Sequence, residues 1–336
     1  MPTPDEFRLI ARYFAPLAAD APGAFGLTDD AAILAVPSGR TLVVTADMLI
    51  SNVHFLADDP ADSVGIKALA VNLSDLAAMG AEPMAYLLSI ALPSAWREEA
   101  LGAWLEGFTN GLVEVQAAFR TTLIGGDTVA TSGPLCVAIT AIGAVETGRE
   151  LRRSGARPGD TVFVSGTIGD GIIGLRELTG KHSRPLEPGL AAAAVERYRR
   201  PKPQLALGRR LVGVASACAD VSDGLVADLG HICEASGVAA TVEAARVPLS
   251  DAGRAVLADD PGLLPALLAG GDDYELIFTA PRKHADAIFG AAAAAGVPVN
   301  AIGHIVKRDG AEPPSVTVIG RDGQALEVGR GGWHHF

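Results

Sequence analysis

Six short acidic segments, each next to or within an apolar run, constrain this chain more than any other feature. They are Asp29-Asp30, Thr45-Ala46-Asp47, Asn72-Leu73-Ser74-Asp75, GGDTV at Gly125–Val129, DVSDG at Asp220–Gly224 and GGDDYE at Gly270–Glu275. Gathered carboxylates repel one another and repel phosphate unless a divalent cation lies between them. Hard oxygen donors on tight turns are what Mg²⁺ requires. Any one of these segments alone reads as a solvated surface loop. Their number, and their spread over both halves of the chain, predict a single multi-metal site for phosphoryl transfer.

A chain of 336 residues has the length of two domains, each with its own core. Apolar residues make up 49% and aromatics only 5%, which predicts an α/β protein with close helix–sheet packing. The formal charge of −12 argues against nucleic acid or an anionic membrane as the main partner. It also means that a phosphate substrate must be received by metals, by local Arg or Lys, or by backbone N–H groups. Cys136, Cys218 and Cys233 lie far apart with no CxxC spacing, which fits a reducing compartment and excludes a Cys-rich zinc site. The N-terminus mixes Asp5, Glu6, Arg8 and Arg12, and no apolar run reaches the length of a membrane span. The expected location is the cytoplasm.

Residues 5–19 read as an amphipathic helix with Phe7, Ile10, Phe14 and Leu17 on one face, followed by strands at 31–36 and 41–46. A helix over 62–79 ends at Gly80, and Ala68, Asn72, Asp75 and Met79 share one of its faces. An Asp in that Ala-rich, buried-looking stretch is costly unless it is paired or binds metal. A strand at 86–92, a helix at 96–119 and strands at 121–124 and 135–145 complete the first half. The Gly-, Arg- and Pro-rich stretch 146–160 reads as a linker, which sets the expected domains at 1–147 and 148–336. The second half begins with a strand at 161–165 and alternates helices and strands to about residue 319.

Several motifs have competing readings. GDGIIG at Gly169–Gly174 fits the dinucleotide pattern, but it lies late in the chain and no strand ending in an acidic residue follows at the right distance. No GxxxxGK[ST] exists, so a P-loop is excluded. In DVSDGL, Asp220 and Asp223 flank a hydroxyl where a strand turns into a helix. The helix N-terminus offers N–H groups and the carboxylates can hold a metal-bound phosphate; the alternative is a plain N-cap at Ser222 or Asp223. Gly125 and Gly126 before Asp127 allow close backbone approach to a ligand, or simply form a hairpin turn. Arg152-Arg153 is a basic spot in an acidic protein or a solvated linker. His54, between Val53 and Phe55, reads first as a structural histidine. The tail Trp333-His334-His335-Phe336 is aromatic enough to fold back onto a site, although termini commonly fray.

Taken together these residues strongly resemble the thiamine-monophosphate kinases, in the family that includes aminoimidazole-ribonucleotide synthetase. The resemblance runs from about Phe7 to Phe336. Its most specific blocks are KALAVNLSDLAAMGAEP at Lys67–Pro83, IGGDT at Ile124–Thr128, RSGARPGD at Arg153–Asp160, DVSDGL at Asp220–Leu225 and GGDDYEL at Gly270–Leu276. It implies a two-domain α/β fold in which the N-terminal domain pairs with its twin to form a dimer barrel. It implies ATP-dependent phosphorylation of thiamine monophosphate to thiamine diphosphate, with several Mg²⁺ ions and ATP as co-substrate. Asp30, Thr45, Asp47, Asp75, Asp127, Asp220 and Asp223 match metal-holding positions; Gly126, Asp127, Arg153 and Ser222 match ATP contacts. His54, Asp272 and Trp333 match the substrate pocket. The catalytic set implied is Asp127, Asp220 and Arg153.

The chain departs from the family pattern at Thr28, where glycine is usual, at Ser51-Asn52 in place of Glu-Gly, and at His334 in place of Asp. The selenophosphate and hydrogenase-maturation branches need a reactive Cys near one terminus, and this chain has none before Cys136 and ends in Phe336. A non-catalytic relative would have lost acidic ligands, which are present here.

Overall fold

The computed structural model describes residues 6–181, 184–308 and 313–328. The chain forms two compact units, one of Met1–Leu76 and Ala81–Gly148, the other of Ala77–Gly80 and Arg149–Phe336.

The first unit opens with a single turn, α1 (Glu6–Leu9), and the helix expected over 5–19 does not run on regularly. It widens over Ile10–Phe14 and tightens over Ala15–Ala18. Pro16 lacks the N–H that a regular ladder needs at that point. Residues 31–36, expected as a strand, join no sheet. Ala32 and Leu34 instead pack on a small cluster of Ala18, Ala24, Ala85 and Ile124, and the Ile33 N–H donates to the Gly23 carbonyl at 2.8 Å.

The sheet of this unit contains β1 (Arg40–Ile50), β2 (Glu82–Pro93), β3 (Thr122–Thr131) and β4 (Cys136–Glu146), in the order β1-β4-β2-β3. Only the β2–β3 pair is parallel. Helices α2 (Ala61–Ala78) and α3 (Glu98–Phe119) cover one face. The two-residue period of β1 turns Thr45, Asp47 and Leu49 to the opposite side from Val44, Ala46 and Met48. Val44 and Met48 are 59% and 57% exposed, so the outer face of this edge strand is apolar and open.

In the second unit the chain runs through β5 (Asp160–Ser165), α4 (Asp170–Leu178), α5 (Pro188–Arg199), α6 (Leu205–Leu211) and β6 (Ala217–Asp220). Next come α7 (Leu225–Ser236), β7 (Ala239–Glu243), α8 (Asp251–Asp259), α9 (Leu264–Ala269) and β8 (Leu276–Pro281). α10 (Ala285–Ala295), β9 (Val299–Val306), β10 (Val316–Ile319) and β11 (Ala325–Leu326) complete it. The strands form one sheet in the order β11-β10-β7-β9-β5-β8-β6. Val162, Val164, Ala219, Leu225, Leu229, Ile232, Ile277 and Ile302 form its core, so β6 and α7, which flank DVSDG, are held on a packed base. Among the described residues no helix is long and apolar enough to cross a membrane.

Candidate functional site

In the first unit the α2 face expected from sequence meets β1. Thr45 Oγ1 donates to Asp75 Oδ2 at 2.5 Å, and the Asp47 N–H donates to Asn72 Oδ1 at 3.0 Å. Asn72 is itself fixed by donating from Nδ2 to the Ala68 carbonyl at 3.0 Å. The half-buried Asp75 is thus paired rather than stranded in the apolar helix.

GGDTV is not a turn at a strand end. It lies inside β3, next to a bulge. The β2–β3 pairing shifts between Tyr86 and Leu87, so Ile124 is an extra residue and Leu87 meets Gly125. Gly126 follows at φ +156°, with the chain so close to β2 that a Cβ there would lie 1.7 Å from the Leu88 carbonyl oxygen. The bulge re-aims the strand and leaves Asp127 exposed beside Ser89. Asp30 and Asp127 are 97 positions apart in the chain, yet both line one cavity of about 720 Å³ with Asp29, Gly126, Ser89 and Thr140. His54 is held at the end of β1: its Nδ1 accepts the Ile50 N–H at 3.0 Å, and its carbonyl accepts from Lys67 Nζ at 3.0 Å. Lys67 is only 2% exposed, a buried cation that sequence reasoning passed over.

In the second unit Asp220 ends β6, and the loop that follows is tied to α7. The N–H groups of Ser222, Asp223 and Gly224 are not open to a phosphate, because all three donate to Asp228 Oδ2, at 3.0, 3.1 and 3.1 Å. The anion that the loop before α7 holds is the chain's own carboxylate. Burial, helped by the Asp223 charge, raises the Asp228 pKa to about 7, against the pull of those N–H groups and of Arg153. Asp223, Asp228 and His231 each offer a ligand atom within 4.8 Å of the others, a grouping able to hold a cation. Asp228 and His231 were missed from sequence. The signal was present, since an Asp in an apolar helical stretch is the same anomaly that marked Asp75.

The GDGIIG segment behaves in the same way. The N–H groups of Gly169 and Gly171 donate to Asp273 Oδ2 and Oδ1 at 2.8 and 3.1 Å, so the position where a dinucleotide pyrophosphate would rest is filled. Burial raises the Asp273 pKa to about 8, with the two N–H groups opposing it and Asp170 adding to it. The loop that carries Asp273 lies along DVSDG: the Asp272 and Tyr274 N–H groups donate to the Ser222 and Val221 carbonyls at 2.9 and 2.8 Å, bringing Ser222 and Asp272 together. Arg153 is exposed, and its carbonyl accepts from Ser236 Oγ at 3.2 Å. Trp333 lies outside the described residues.

Among the described residues, acidic side chains therefore stand at three places: with Thr45 where β1 meets α2, at Asp30 and Asp127 on the cavity beside β3, and on the paired loops at the end of β6 and before β8. The first offers hydroxyl and carboxylate oxygens, a donor set that fits Mg²⁺.

The chain matches the family models described as AIR synthase related protein, N-terminal domain, over residues 28–145, and AIR synthase related protein, C-terminal domain, over residues 157–313. It is 43% identical to the thiamine-monophosphate kinase of Caulobacter vibrioides, over 99% of this chain and 91% of that protein. The crystal structure of thiamine-monophosphate kinase from Stenotrophomonas maltophilia superposes with a TM-score of 0.82 at 41% identity, covering 96% of this chain and 98% of that one. A structure of AaThiL complexed with AMPPCP and TMP superposes with a TM-score of 0.76 at 30% identity, covering 94% and 97%.

Proposed function

The chain belongs to the thiamine-monophosphate kinases of the AIR synthase related family, and on that premise we propose that it moves the γ-phosphoryl group of ATP onto the phosphate of thiamine monophosphate, giving thiamine diphosphate and ADP. Full-length likeness to named kinases carries this reading. The acceptor is a phosphate oxygen, already ionised near neutral pH, so it attacks the γ-phosphorus without a strong general base. The bond from that phosphorus to the β–γ bridging oxygen breaks, and its electron pair leaves with ADP. The difficulty lies in bringing two polyanions together, so charge neutralisation and in-line positioning carry the catalysis.

We assign Mg²⁺ to Asp30, Thr45, Asp47, Asp75 and Asp127 of the first unit and to Asp220 and Asp223 of the second. When bound, the metal supplies the positive charge that lets phosphate approach these carboxylates. Thr45 and Asp75 support this assignment, because their oxygens stand 2.5 Å apart. Gly126, which lines the same cavity as Asp30 and Asp127, contacts the nucleotide together with Asp127, Arg153 and Ser222. His54 and Asp272 line the thiamine-phosphate pocket, and Trp333 stacks on the thiamine rings, where the cationic thiazolium favours an aromatic face. Transfer is direct, with Asp127, Asp220 and Arg153 the residues on which turnover depends most.

The test is incubation with ATP and thiamine monophosphate, with products read by mass. Thiamine diphosphate should form with Mg²⁺ and not with EDTA, since bare ATP meets unscreened carboxylates. Absence of product with Mg²⁺ would refute the assigned reaction, and equal product in EDTA would refute the metal assignment.

We also propose a homodimer formed through the first unit, in a cytoplasmic setting. The open apolar face of β1 supports it, since exposed Val44 and Met48 on an edge strand need cover. Met48→Glu should convert the dimer to monomer in sedimentation velocity, because a carboxylate then enters the covered face. An unchanged sedimentation coefficient would place the contact elsewhere.

A further inference from the structure

The loop from Gly271 to Glu275 is built in a conformation that side chains rarely adopt. Asp272 has φ +67° and Tyr274 has φ +50°, with Asp273 between them. Two left-handed residues so close together persist only where their surroundings over-determine them. The surroundings here are specific. Asp273 is 2% exposed, and its two carboxylate oxygens take the N–H groups of Gly169 and Gly171 at the first turn of α4. The loop backbone rests directly on that turn, because a Cβ on Gly171 would lie 2.6 Å from the Asp272 carbonyl oxygen. On the other side Arg197 Nη2 donates to the Asp273 carbonyl at 3.3 Å and to Glu275 Oε1 at 2.7 Å, while Ser165 Oγ donates to Glu275 Oε2 at 2.6 Å.

The product of this arrangement is a pair of side chains. Tyr274 Oη donates to Asp272 Oδ1 at 2.9 Å, so the phenol sets the orientation of the carboxylate. Neither residue can keep its place if the loop relaxes to ordinary backbone angles.

We propose that Asp273 is a positioning residue for substrate recognition: its grip on the start of α4 holds Asp272 and Tyr274 as one oriented unit toward the thiamine moiety. This rests on the assignment of Asp272 to the thiamine-phosphate pocket. Thiamine carries a cationic thiazolium and an aminopyrimidine with N–H donors, and an oriented carboxylate suits either. Asp273→Asn keeps the size but sets an NH₂ group against one of the two helix-start N–H groups. The loop then loses one of its two anchors on α4.

The experiment is calorimetry on wild type, Asp272→Ala, Asp273→Asn and Tyr274→Phe, titrating thiamine monophosphate and a Mg²⁺-bound non-hydrolysable ATP analogue separately. Asp273→Asn should weaken thiamine monophosphate about tenfold, the scale of one lost buried hydrogen bond, and change the nucleotide less than about twofold. Tyr274→Phe should weaken thiamine monophosphate about threefold with an unchanged unfolding temperature. A merely structural role would lower the unfolding temperature and leave both affinities alone or reduce them equally. Either result for Asp273→Asn overturns the proposal. Should that variant not fold, Tyr274→Phe decides, and unchanged affinity there overturns it. An Asp272→Ala protein that binds thiamine monophosphate normally removes the substrate assignment and the proposal together. A loss in Asp272→Ala alone removes only the proposal.

Discussion

Asp127→Asn should leave the protein folded and lower turnover about 10²- to 10⁴-fold in saturating Mg²⁺ and ATP. The side chain is exposed beside the β3 bulge, so its replacement by an isosteric amide disturbs no packing. What disappears is a formal negative charge at a position assigned to metal. Metal-borne stabilisation of transferring phosphate is worth several kcal/mol, and each 1.36 kcal/mol is about tenfold in rate. The measurement is kcat across a Mg²⁺ titration, with unfolding temperature as control. A kcat within about twofold of wild type would remove Asp127 from the metal set.

Gly126→Ala, one residue earlier, should act on the fold itself. The Cβ would stand 1.7 Å from the Leu88 carbonyl oxygen, and at φ +156° the backbone suits no side chain. Neither partner can retreat freely, because Leu88 and Gly126 are paired in the β2–β3 ladder and Leu88 is also paired with Ile139 of β4. A loss of about 3 kcal/mol or more is expected, in the range where single substitutions report broken backbone geometry. Denaturant titration would show it. A loss below about 0.5 kcal/mol would mean that the bulge rearranges at little cost, and the tight approach of β3 to β2 would then have no structural role.

The parts of this architecture that sequence disclosed are those governed by local periodicity. Asn72 and Asp75 fall on one face of an Ala-rich helix, and the cost of an unpaired carboxylate there pointed to partners that turn out to be Asp47 and Thr45. The β5 and β6 strands and the helix after DVSDG follow from the same kind of pattern. What stayed hidden depends on dihedral angles or on distant pairing. Nothing in GGDTV distinguishes a terminal turn from a bulge inside a strand, because glycine permits both. Residues 31–36 have a strand-like composition, but a strand also needs a neighbour to pair with. Asp228 carried the same signal as Asp75, a carboxylate in an apolar helix, whereas Asp273 is one acidic loop residue among several and lies about a hundred positions from the N–H groups it fills.

The two filled sets of N–H groups differ in how far away the filling residue lies. Asp228 is four to six positions from the N–H groups it binds, so DVSDG and the first turn of α7 can organise as a local unit as soon as they are made. Asp273 is 102 to 104 positions from Gly171 and Gly169. A growing chain that has completed α4 must still produce five more α-helices and two strands before the residue that closes the start of α4 exists. Closing such a span is entropically slow, so the Gly271–Glu275 loop and the start of α4 become ordered late and in the same step.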